Sequence, residues 1–246
     1  MSDTTDTPDT VDATDTTGNG FLTATRAAYD TVAVSYADLL ADHLAQQPFD
    51  RAVLALYAEL VGAADSGDER QTDAPRVVEV GCGPGRVTAH LAGLGLAAAG
   101  IDLSPAMVDE ARRRHRGISF TVGSMTALDL PDHQLDGLVA WYSVIHVPPA
   151  EHRAVYRGFH RALTQGGHLL LAFQVGDERR VITDAYGHSG LRLDAYRLQP
   201  DRVEDDLAAA GFEPVARLTR AQAGPEKTGQ AYVIARAEQH AAPETA

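Results

Sequence analysis

A glycine-rich turn between an apolar run and a helix-like segment is the feature that most limits how this chain can fold. The stretch VVEVGCGPGRVTAHL spans residues 77–91 and places glycines at alternate positions, Gly81, Gly83 and Gly85. A strand that passes through such a turn into a helix presents backbone N–H groups and the positive end of the helix dipole to a ligand. The stretch therefore predicts a binding loop at the carboxyl end of a buried strand.

The spacing around this turn disfavours the two common phosphate-binding loops. A P-loop ends in Gly-Lys-Ser/Thr, whereas Gly85 is followed by Arg86 and Val87. The dinucleotide fingerprint G-x-G-x-x-G would need its third glycine where Arg86 stands. Glu79, two residues before the first glycine, would repel a pyrophosphate and attract an ammonium or another cation. We therefore expect a ligand that carries a positive charge and no phosphate.

Apolar strands alternate with helical patterns over residues 75–175, which predicts a mostly parallel sheet with helices on both faces. The predicted strands are 76–80, 97–103, 118–122, 135–142 and 168–175, and the predicted helices are 85–94, 104–116 and 149–163. A polar stretch (176–190), an extended segment (191–198) and a helix (200–210) follow. The last two strands, 213–220 and 229–237, flank the turn-rich AQAGPEKT and predict an antiparallel hairpin. The fold class is α/β, a Rossmann-like seven-stranded sheet.

The segments before this core have a different character. Helical spacing predicts two N-terminal helices, at 25–44 and 49–61, so that residues 21–64 form a helical cap. The first twenty residues are largely Thr and Asp and predict a disordered acidic tail, and residues 64–74 read as a linker. The core then covers residues 75–246, with residues 176–198 as an insertion on the acceptor side.

Charge and composition exclude several classes of partner and site. The formal net charge is −13, which disfavours binding to nucleic-acid backbones. With no long apolar run and no secretory-type leader, we expect no membrane association and a cytoplasmic protein. Cys82 is the only cysteine, which excludes an intramolecular disulfide and a multi-thiolate metal site. We expect it to be a small buried side chain, and no histidine spacing predicts a metal site.

A second acidic residue narrows the type of ligand that the sequence predicts. Asp102 ends the second predicted strand, where a carboxylate can accept hydrogen bonds from both hydroxyls of a ribose. Each such charge-assisted contact is worth about 1.5–3 kcal/mol. Together, Glu79 and Asp102 predict a ligand that has a ribose and a positive charge.

On these residues the sequence resembles the class I S-adenosylmethionine (SAM)-dependent methyltransferases. Four motifs stand in the family's order and cover about residues 75–175: VVEVGCGPGRVTAHL, GIDLSPAMVDEAR, FTVGSMTALDLPDHQLDGLVAWYSVIHVPP and FHRALTQGGHLLLAFQ. The wording of WYSVIHVPP and HLLLAFQVGDE looks most like small-molecule methyltransferases of actinobacterial type. The resemblance implies SAM as cofactor and a small-molecule acceptor with an oxygen, nitrogen or carbon nucleophile. The product would be S-adenosylhomocysteine (SAH).

The resemblance also implies roles for individual residues. The glycines let the backbone approach the methionine portion of SAM. Glu79 lies near the ammonium group of that portion, and Asp102 holds the ribose. A tyrosine from the N-terminal helices covers the cofactor. Ser124 stands where many members carry an aspartate for the adenine amino group, and Asp129 is an alternative. The implied cofactor contacts are Tyr29, Tyr36, Glu79, Gly81, Gly83, Gly85, Asp102, Leu103, Met107, Ser124, Met125 and Tyr142.

Tyr142 and His146 are the candidates for catalysis. Tyr142 ends the fourth predicted strand and His146 follows four residues later, so both are expected near the transferred methyl group. A histidine there can act as a general base, although it can equally pack or orient its loop. A sulfonium is an activated methyl donor, so orientation and exclusion of water could suffice without a strong base. Trp141 is expected on the opposite face of the strand from Tyr142.

Two alternatives remain open at this point. A nicotinamide-dependent oxidoreductase uses the same type of sheet and the same ribose-binding acid, although the alternating glycines and Glu79 oppose it. A non-catalytic cofactor-binding or regulatory protein of this fold would keep the cofactor motifs without turnover. The sequence leaves open the acceptor, the atom methylated and the oligomeric state, a homodimer included.

Overall fold

The computed structural model describes residues 20–64 and 74–238. The acidic tail predicted for residues 1–20 and the linker predicted for 64–74 lie, apart from their boundary residues, outside the described residues. The helices are α1 (Gly20–Leu39), α2 (Pro48–Ala64), α3 (Arg86–Gly93), α4 (Pro105–Arg114), α5 (His152–Ala162) and α6 (Pro200–Ala208). The strands are β1 (Arg76–Val80), β2 (Ala97–Asp102), β3 (Ser119–Val122), β4 (Leu135–Trp141), β5 (Leu163–Gln174), β6 (Arg179–Ala185), β7 (His188–Tyr196), β8 (Phe212–Arg220) and β9 (Gln230–Ala237). None of the helices in these two described ranges is long and apolar enough to span a bilayer.

Seven strands form one sheet in the order β3-β2-β1-β4-β5-β9-β8. The first five are parallel, and β9 is antiparallel to both β5 and β8, which confirms the predicted fold class. Strands β1 and β4 are almost wholly buried because both faces of the sheet are covered. The strand order reverses between β1 and β4, and in open α/β sheets ligands bind outside the carboxyl ends of the strands at this point.

Helix α2 packs directly on the sheet. Its Leu54, Tyr57 and Val61 are fully buried with residues of α3, β4 and β9. The Tyr57 hydroxyl donates to the backbone carbonyls of Leu138 (3.2 Å) and His168 (3.1 Å). Of the helical cap predicted for residues 21–64, this half is therefore part of the main core. The opposite face of the sheet is covered by α5 and α6.

Helix α1 lies away from the sheet, between α4 and a two-stranded hairpin. Its Ala28, Val32 and Ala33 pack against Met107 of α4 and against leucines of β7. Asp30 fixes one end of this contact, because its carboxylate accepts hydrogen bonds from the Ser104 hydroxyl (2.5 Å) and from the backbone N–H of Ala106 (3.2 Å). Ser104 is the N-cap of α4, as the Ser-Pro pair predicts.

The hairpin β6–β7 corrects one sequence prediction. Residues 176–190 read as a polar stretch without a strand, yet Arg179–Ala185 form β6, which pairs antiparallel with β7. Most residues of β6 are exposed on both faces, so the strand lacks the apolar alternation by which strands are identified. The leucines that face α1 lie on β7. We call α1 together with the β6–β7 hairpin the cover.

Candidate functional site

A cleft opens at the carboxyl ends of β1, β2 and β4, beneath α1. It contains about 720 Å³ of empty space, its open mouth included. The predicted site residues that line it are Tyr29, Tyr36, Gly81, Gly83, Asp102, Leu103, Met107, Ser124, Met125, Tyr142 and His146. The structure therefore brings eleven predicted residues, from α1 and from the first three of the four motifs, to one cavity.

The three glycines of the loop have different surroundings. All three have positive φ angles, which favour glycine. A Cβ on Gly81 would lie 2.3 Å from the Cβ of Ser143, whereas a Cβ on Gly83 would meet only the Tyr36 ring, at 3.9 Å. A Cβ on Gly85 would overlap the Phe120 ring at 2.7 Å, on the side of the loop that faces β3. Gly85 does not line the cleft, so a glycine is needed at this position for the packing of Phe120 beneath the loop.

Asp102 is the carboxylate of the cleft. Its side chain is buried at the end of β2, and each oxygen accepts one backbone N–H, from Gly83 (2.7 Å) and from Ser104 (2.8 Å). A carboxylate oxygen has two lone pairs, so each keeps one for a ligand hydroxyl. Burial raises the pKa of Asp102, and the N–H groups of Ser104 and Gly83 oppose this shift.

Glu79 lies one layer below the cleft. It is 2% exposed, and its carboxyl accepts a hydrogen bond from the Thr88 hydroxyl at 2.5 Å. Burial raises its pKa to about 8, although the bond from Thr88 and the nearby charge of Arg86 act in the opposite direction. The structure thus does not place this side chain on the cleft surface, where the sequence predicts it, and near neutral pH the group is mostly protonated.

Helix α1 supplies the roof of the cleft. The rings of Tyr29 and Tyr36 meet edge to face at 6.1 Å, and Tyr36 meets Tyr186 of the hairpin turn at 4.8 Å. Four further lining residues on α1 are absent from the sequence prediction: Phe21, Leu22, Thr25 and Arg26. Their spacing of three and four residues from one another and from Tyr29 places them on one helix face, and this spacing is the signal that could have found them.

The four residues for which the resemblance implies adenine contact all lie in the cleft. Leu103, Met107, Ser124 and Met125 line the cleft, and Met107 is almost fully buried. The Ser124 hydroxyl lies 2.8 Å from the Thr126 hydroxyl. Asp129, the alternative acceptor for an adenine amino group, is exposed and does not line this cleft. Of the two side chains considered as acceptors for an adenine amino group, Ser124 is therefore the one that lies in the cleft.

Trp141 and Tyr142 both face the cleft, which corrects the prediction for Trp141. Strand β4 ends at Trp141, and Tyr142 has a φ of 52°, so the strand alternation stops between them. The two rings lie 5.7 Å apart, edge to face. The Tyr142 hydroxyl points to that of Tyr232 (3.5 Å), which donates to Asp50 (2.6 Å). Burial raises the pKa of Tyr142, so it stays protonated at neutral pH.

His146 is held from two sides. It lies in a 3₁₀ turn, Val144–His146, and is 8% exposed. Its Nδ1 is 2.7 Å from the backbone carbonyl oxygen of Asp194, and its Nε2 is 2.7 Å from the Tyr29 hydroxyl. Burial lowers the pKa of His146, which keeps the imidazole neutral at neutral pH. The predicted candidates Tyr142 and His146 thus share one cleft, and Tyr29 joins them.

Cys82 behaves as the sequence predicts. It is 4% exposed, packs with Val108, Ala111 and Phe120, and burial raises the pKa of its thiol. It therefore acts as a small apolar side chain below the loop. Within residues 20–64 and 74–238, no group of three or more His, Cys, Asp or Glu side chains is arranged to hold a metal ion.

Two sequence comparisons point to the same family. Residues 77–167 match the family model described as a methyltransferase domain. A trans-aconitate 2-methyltransferase from Methylobacterium nodulans is 38% identical over 104 residues. That match covers 42% of this chain and 38% of the relative, so the chain aligns with well under half of that enzyme's length.

Solved structures share the fold over nearly the whole chain. A magnesium protoporphyrin IX methyltransferase from Synechocystis, solved with bound SAM, superposes with a TM-score of 0.66 at 17% identity and covers 93% of this chain and 100% of its own. A complex of the protein DhpI with SAH superposes with a TM-score of 0.65 at 22% identity, covering 90% and 99%. At these identities the likeness concerns the fold.

Proposed function

We propose that this chain, whose core is a class I methyltransferase domain, transfers the methyl group of SAM to a small-molecule acceptor and releases SAH. One observation carries the proposal: a single cleft combines a bare glycine backbone, a buried carboxylate with lone pairs to spare, and an apolar wall. These features match the methionine, ribose and adenine portions of one ligand. The domain match at residues 77–167 supports the same activity.

The residues present fit this cofactor. Gly81 and Gly83 leave the loop backbone bare on the cleft side, where a methionine chain could approach. The two unused lone pairs of Asp102 suit a ribose diol, and Leu103 and Met107 provide an apolar wall for adenine. Glu79 would act from below, as a negative charge near the ammonium group once it is ionised. When bound, SAM supplies an electrophilic methyl group on a positively charged sulfur.

The protein's own contribution is positioning and exclusion of water. Tyr29 and Tyr36 close the cleft from above, while Trp141 and Tyr142 form the wall at the end of β4. Held in line with the methyl group, an acceptor reacts as in an intramolecular step, and such orientation can supply about 7–11 kcal/mol of the barrier. We place the acceptor beside Tyr142 and His146.

The acceptor is proposed to be a small molecule. The roof formed by α1 lies directly on the cleft, so a larger acceptor would have to displace the helix. Two similar proteins are named for small acceptors, trans-aconitate for the sequence match and magnesium protoporphyrin IX for the structural neighbour. The net charge of −13 argues against a nucleic-acid acceptor. We also propose that the protein works in the cytoplasm.

The cofactor assignment can be tested by ligand binding. In calorimetry SAH should bind and NAD should not, and Asp102→Ala should weaken SAH binding at least a hundredfold. The variant loses two charge-assisted hydrogen bonds worth about 1.5–3 kcal/mol each. Unchanged SAH affinity in Asp102→Ala would refute the assignment, and preferential binding of NAD would favour an oxidoreductase.

Turnover needs its own measurement. Transfer of a labelled methyl group from SAM to members of a small-molecule library would establish an enzyme, and the labelled product would identify the acceptor. Tight SAH binding without transfer to any member would point to a non-catalytic cofactor-binding protein.

A further inference from the structure

We propose that Tyr29 and His146 form a proton relay that is assembled when α1 covers the cleft, and that the acceptor is a hydroxyl or amine that must lose a proton. The proposal rests on the proposed methyl transfer and deepens it. It gives Tyr29 a chemical role beyond covering a cofactor, and it excludes a carboxylate as the methylated group.

The hydrogen bonds around His146 determine which nitrogen carries the proton. A carbonyl oxygen can only accept, so the 2.7 Å contact with the Asp194 carbonyl requires a proton on Nδ1. In the neutral ring Nε2 is then an acceptor, and the Tyr29 hydroxyl, 2.7 Å away, donates to it. His146 is therefore oriented as a base, with its lone pair directed at the roof of the cleft.

The groups that face this pair come from several elements. Around Tyr29 they are Tyr36 on α1, Tyr186 in the hairpin turn and Asp102 at the end of β2. Around His146 the facing group is Asp194 on β7, whose carboxylate is paired with Arg179 at 2.8 Å. His146 is buried, and the half-buried Tyr29 lines the cleft between the imidazole and a bound acceptor, so the Tyr29 oxygen is placed to take a proton released in the cleft.

Methyl transfer and proton transfer are coupled in the proposed step. The acceptor oxygen or nitrogen forms a bond to the methyl carbon as the carbon–sulfur bond breaks, and the electron pair of that bond stays on sulfur. The acceptor proton passes to the Tyr29 oxygen while the Tyr29 proton passes to Nε2 of His146. The products are the methylated acceptor, SAH and a His146 imidazolium whose Nδ1–H still donates to Asp194. The imidazolium returns its proton to solvent when the cover opens.

The relay depends on the cover because its parts lie on separate elements. Tyr29 belongs to α1, His146 to the turn after β4, and the Asp194 carbonyl to β7. Leu191 and Leu193 of β7 pack against the same helix that carries Tyr29. Placing α1 over the cleft therefore excludes water and completes the base in one movement.

Kinetic variants test the relay. Tyr29→Phe removes one hydroxyl and keeps the ring, and we expect kcat to fall about a hundredfold, the usual worth of a general base, while SAH affinity in calorimetry changes less than about threefold. His146→Ala should lose a similar factor, and the double variant no more than the worse single variant. Tyr186→Phe is the matched control: it deletes a hydroxyl in the same aromatic cluster but outside the cleft, and it should keep wild-type kcat.

The acceptor probes are phenol, catechol, glycerol and aniline for protic groups, and trans-aconitate for a carboxylate. Methylation of a protic probe that depends on both side chains supports the relay. So does a kcat that falls on acidification only at a pH below the ordinary histidine pKa of about 6.5, and that loses this dependence in His146→Ala. Methylation of trans-aconitate alone, with Tyr29→Phe at wild-type kcat, would overturn it. SAH binding would be intact in that case, so the proposed cofactor site would survive.

A spectroscopic readout is independent of turnover. In ¹⁵N-histidine NMR of the SAH-bound protein, His146 should show a protonated Nδ1 and a hydrogen-bonded, unprotonated Nε2, and the Nε2 resonance should shift in Tyr29→Phe but not in Tyr186→Phe. A protonated Nε2, or a resonance unaffected by Tyr29→Phe, would overturn the proposal.

Discussion

The floor and the cover of the cleft are built in different ways. The floor consists of the ends of β1, β2 and β4, and it rests on α2 and α3 through a continuous buried core. The cover touches the rest of the molecule through one small apolar cluster around Val32 and Met107. A few polar contacts add to it: Asp30 with Ser104, Asp38 with Arg114, and Tyr29 and Asp194 with His146. Changes in the floor should therefore act on global stability, whereas changes in the cover should act on ligand binding.

The largest effect is expected where α2 supports the floor. Leu54 is fully buried, so Leu54→Ala leaves a cavity and should lower the free energy of unfolding by about 2–5 kcal/mol. Leu56, on the same helix, is 45% exposed, and Leu56→Ala should change the free energy of unfolding by less than about 0.5 kcal/mol. Urea titration measures both. Equal effects would mean that α2 does not support the floor as described.

Two substitutions in the glycine loop should distinguish a loss of stability in the floor from a loss of ligand binding. Gly81→Ala and Gly83→Ala both force alanine into a left-handed conformation, which costs about 1–2 kcal/mol. Only the methyl group at 81 also overlaps Ser143, so Gly81→Ala should lose a further 1–3 kcal/mol or so of stability. Gly83→Ala should stay folded and bind SAH more weakly, because its methyl group projects toward the cleft. A larger stability loss for Gly83→Ala in urea titration would contradict this.

The cover should respond without global unfolding. Leu193 is 3% exposed and packs on α1, so Leu193→Ala should loosen the helix. If the cover then stays open about nine-tenths of the time, SAH affinity falls about tenfold. Amide hydrogen exchange should rise in α1 and in the hairpin but not in β1 or β4. Faster exchange throughout the sheet would show that floor and cover unfold together.

The smallest effect concerns Glu79 and has a definite sign. Its pKa in the folded protein is about 8, above its ordinary value of 4.5, so its favourable contribution to folding is complete below pH 4.5 and is lost as pH rises toward 8. Glu79→Gln mimics the protonated acid and keeps an acceptor for Thr88. Without ligand, the variant should match wild type near pH 5 and exceed its melting temperature near pH 8.

A melting temperature for Glu79→Gln that stays below wild type at pH 8 would mean that the ionised carboxylate is stabilised in the floor. Glu110 should show the opposite pH dependence of stability, which Glu110→Gln would test. Burial acts to raise the pKa of Glu110, but the hydrogen bonds from Arg113 and Arg114 outweigh it and lower the pKa. Its contribution to stability is therefore present near neutral pH and lost on acidification.

The floor could be predicted from sequence because its signals are local. Strands β1 and β4 are short, mostly apolar segments, Ser104 and Pro105 mark the start of α4, and Asp102 is the last residue of β2. In a parallel sheet, the carboxyl ends of such strands meet at one edge whatever the rest of the chain does. The order of elements and the position of the cleft follow from these patterns, whereas most of the predicted lining residues come from the resemblance to the methyltransferase family.

The cover could not be predicted in the same way, because its contacts join distant residues. Tyr29 and His146 are 117 positions apart, and the exposed strand β6 has no apolar alternation. Helical periodicity also could not separate α1, which roofs the cleft, from α2, which packs on the sheet. Glu79 and Gly85 stand in the motif but point below the loop, since sequence spacing does not show which side of a turn a residue faces.

The most direct test of the account is a crystal structure of the protein with SAH. We predict that the ribose hydroxyls lie within about 2.6–3.2 Å of the Asp102 carboxylate, with the methionine end over Gly81 and Gly83 and α1 above the ligand. SAH bound elsewhere, or bound in the cleft without contact to Asp102, would contradict the assignment of this cleft as the SAM site.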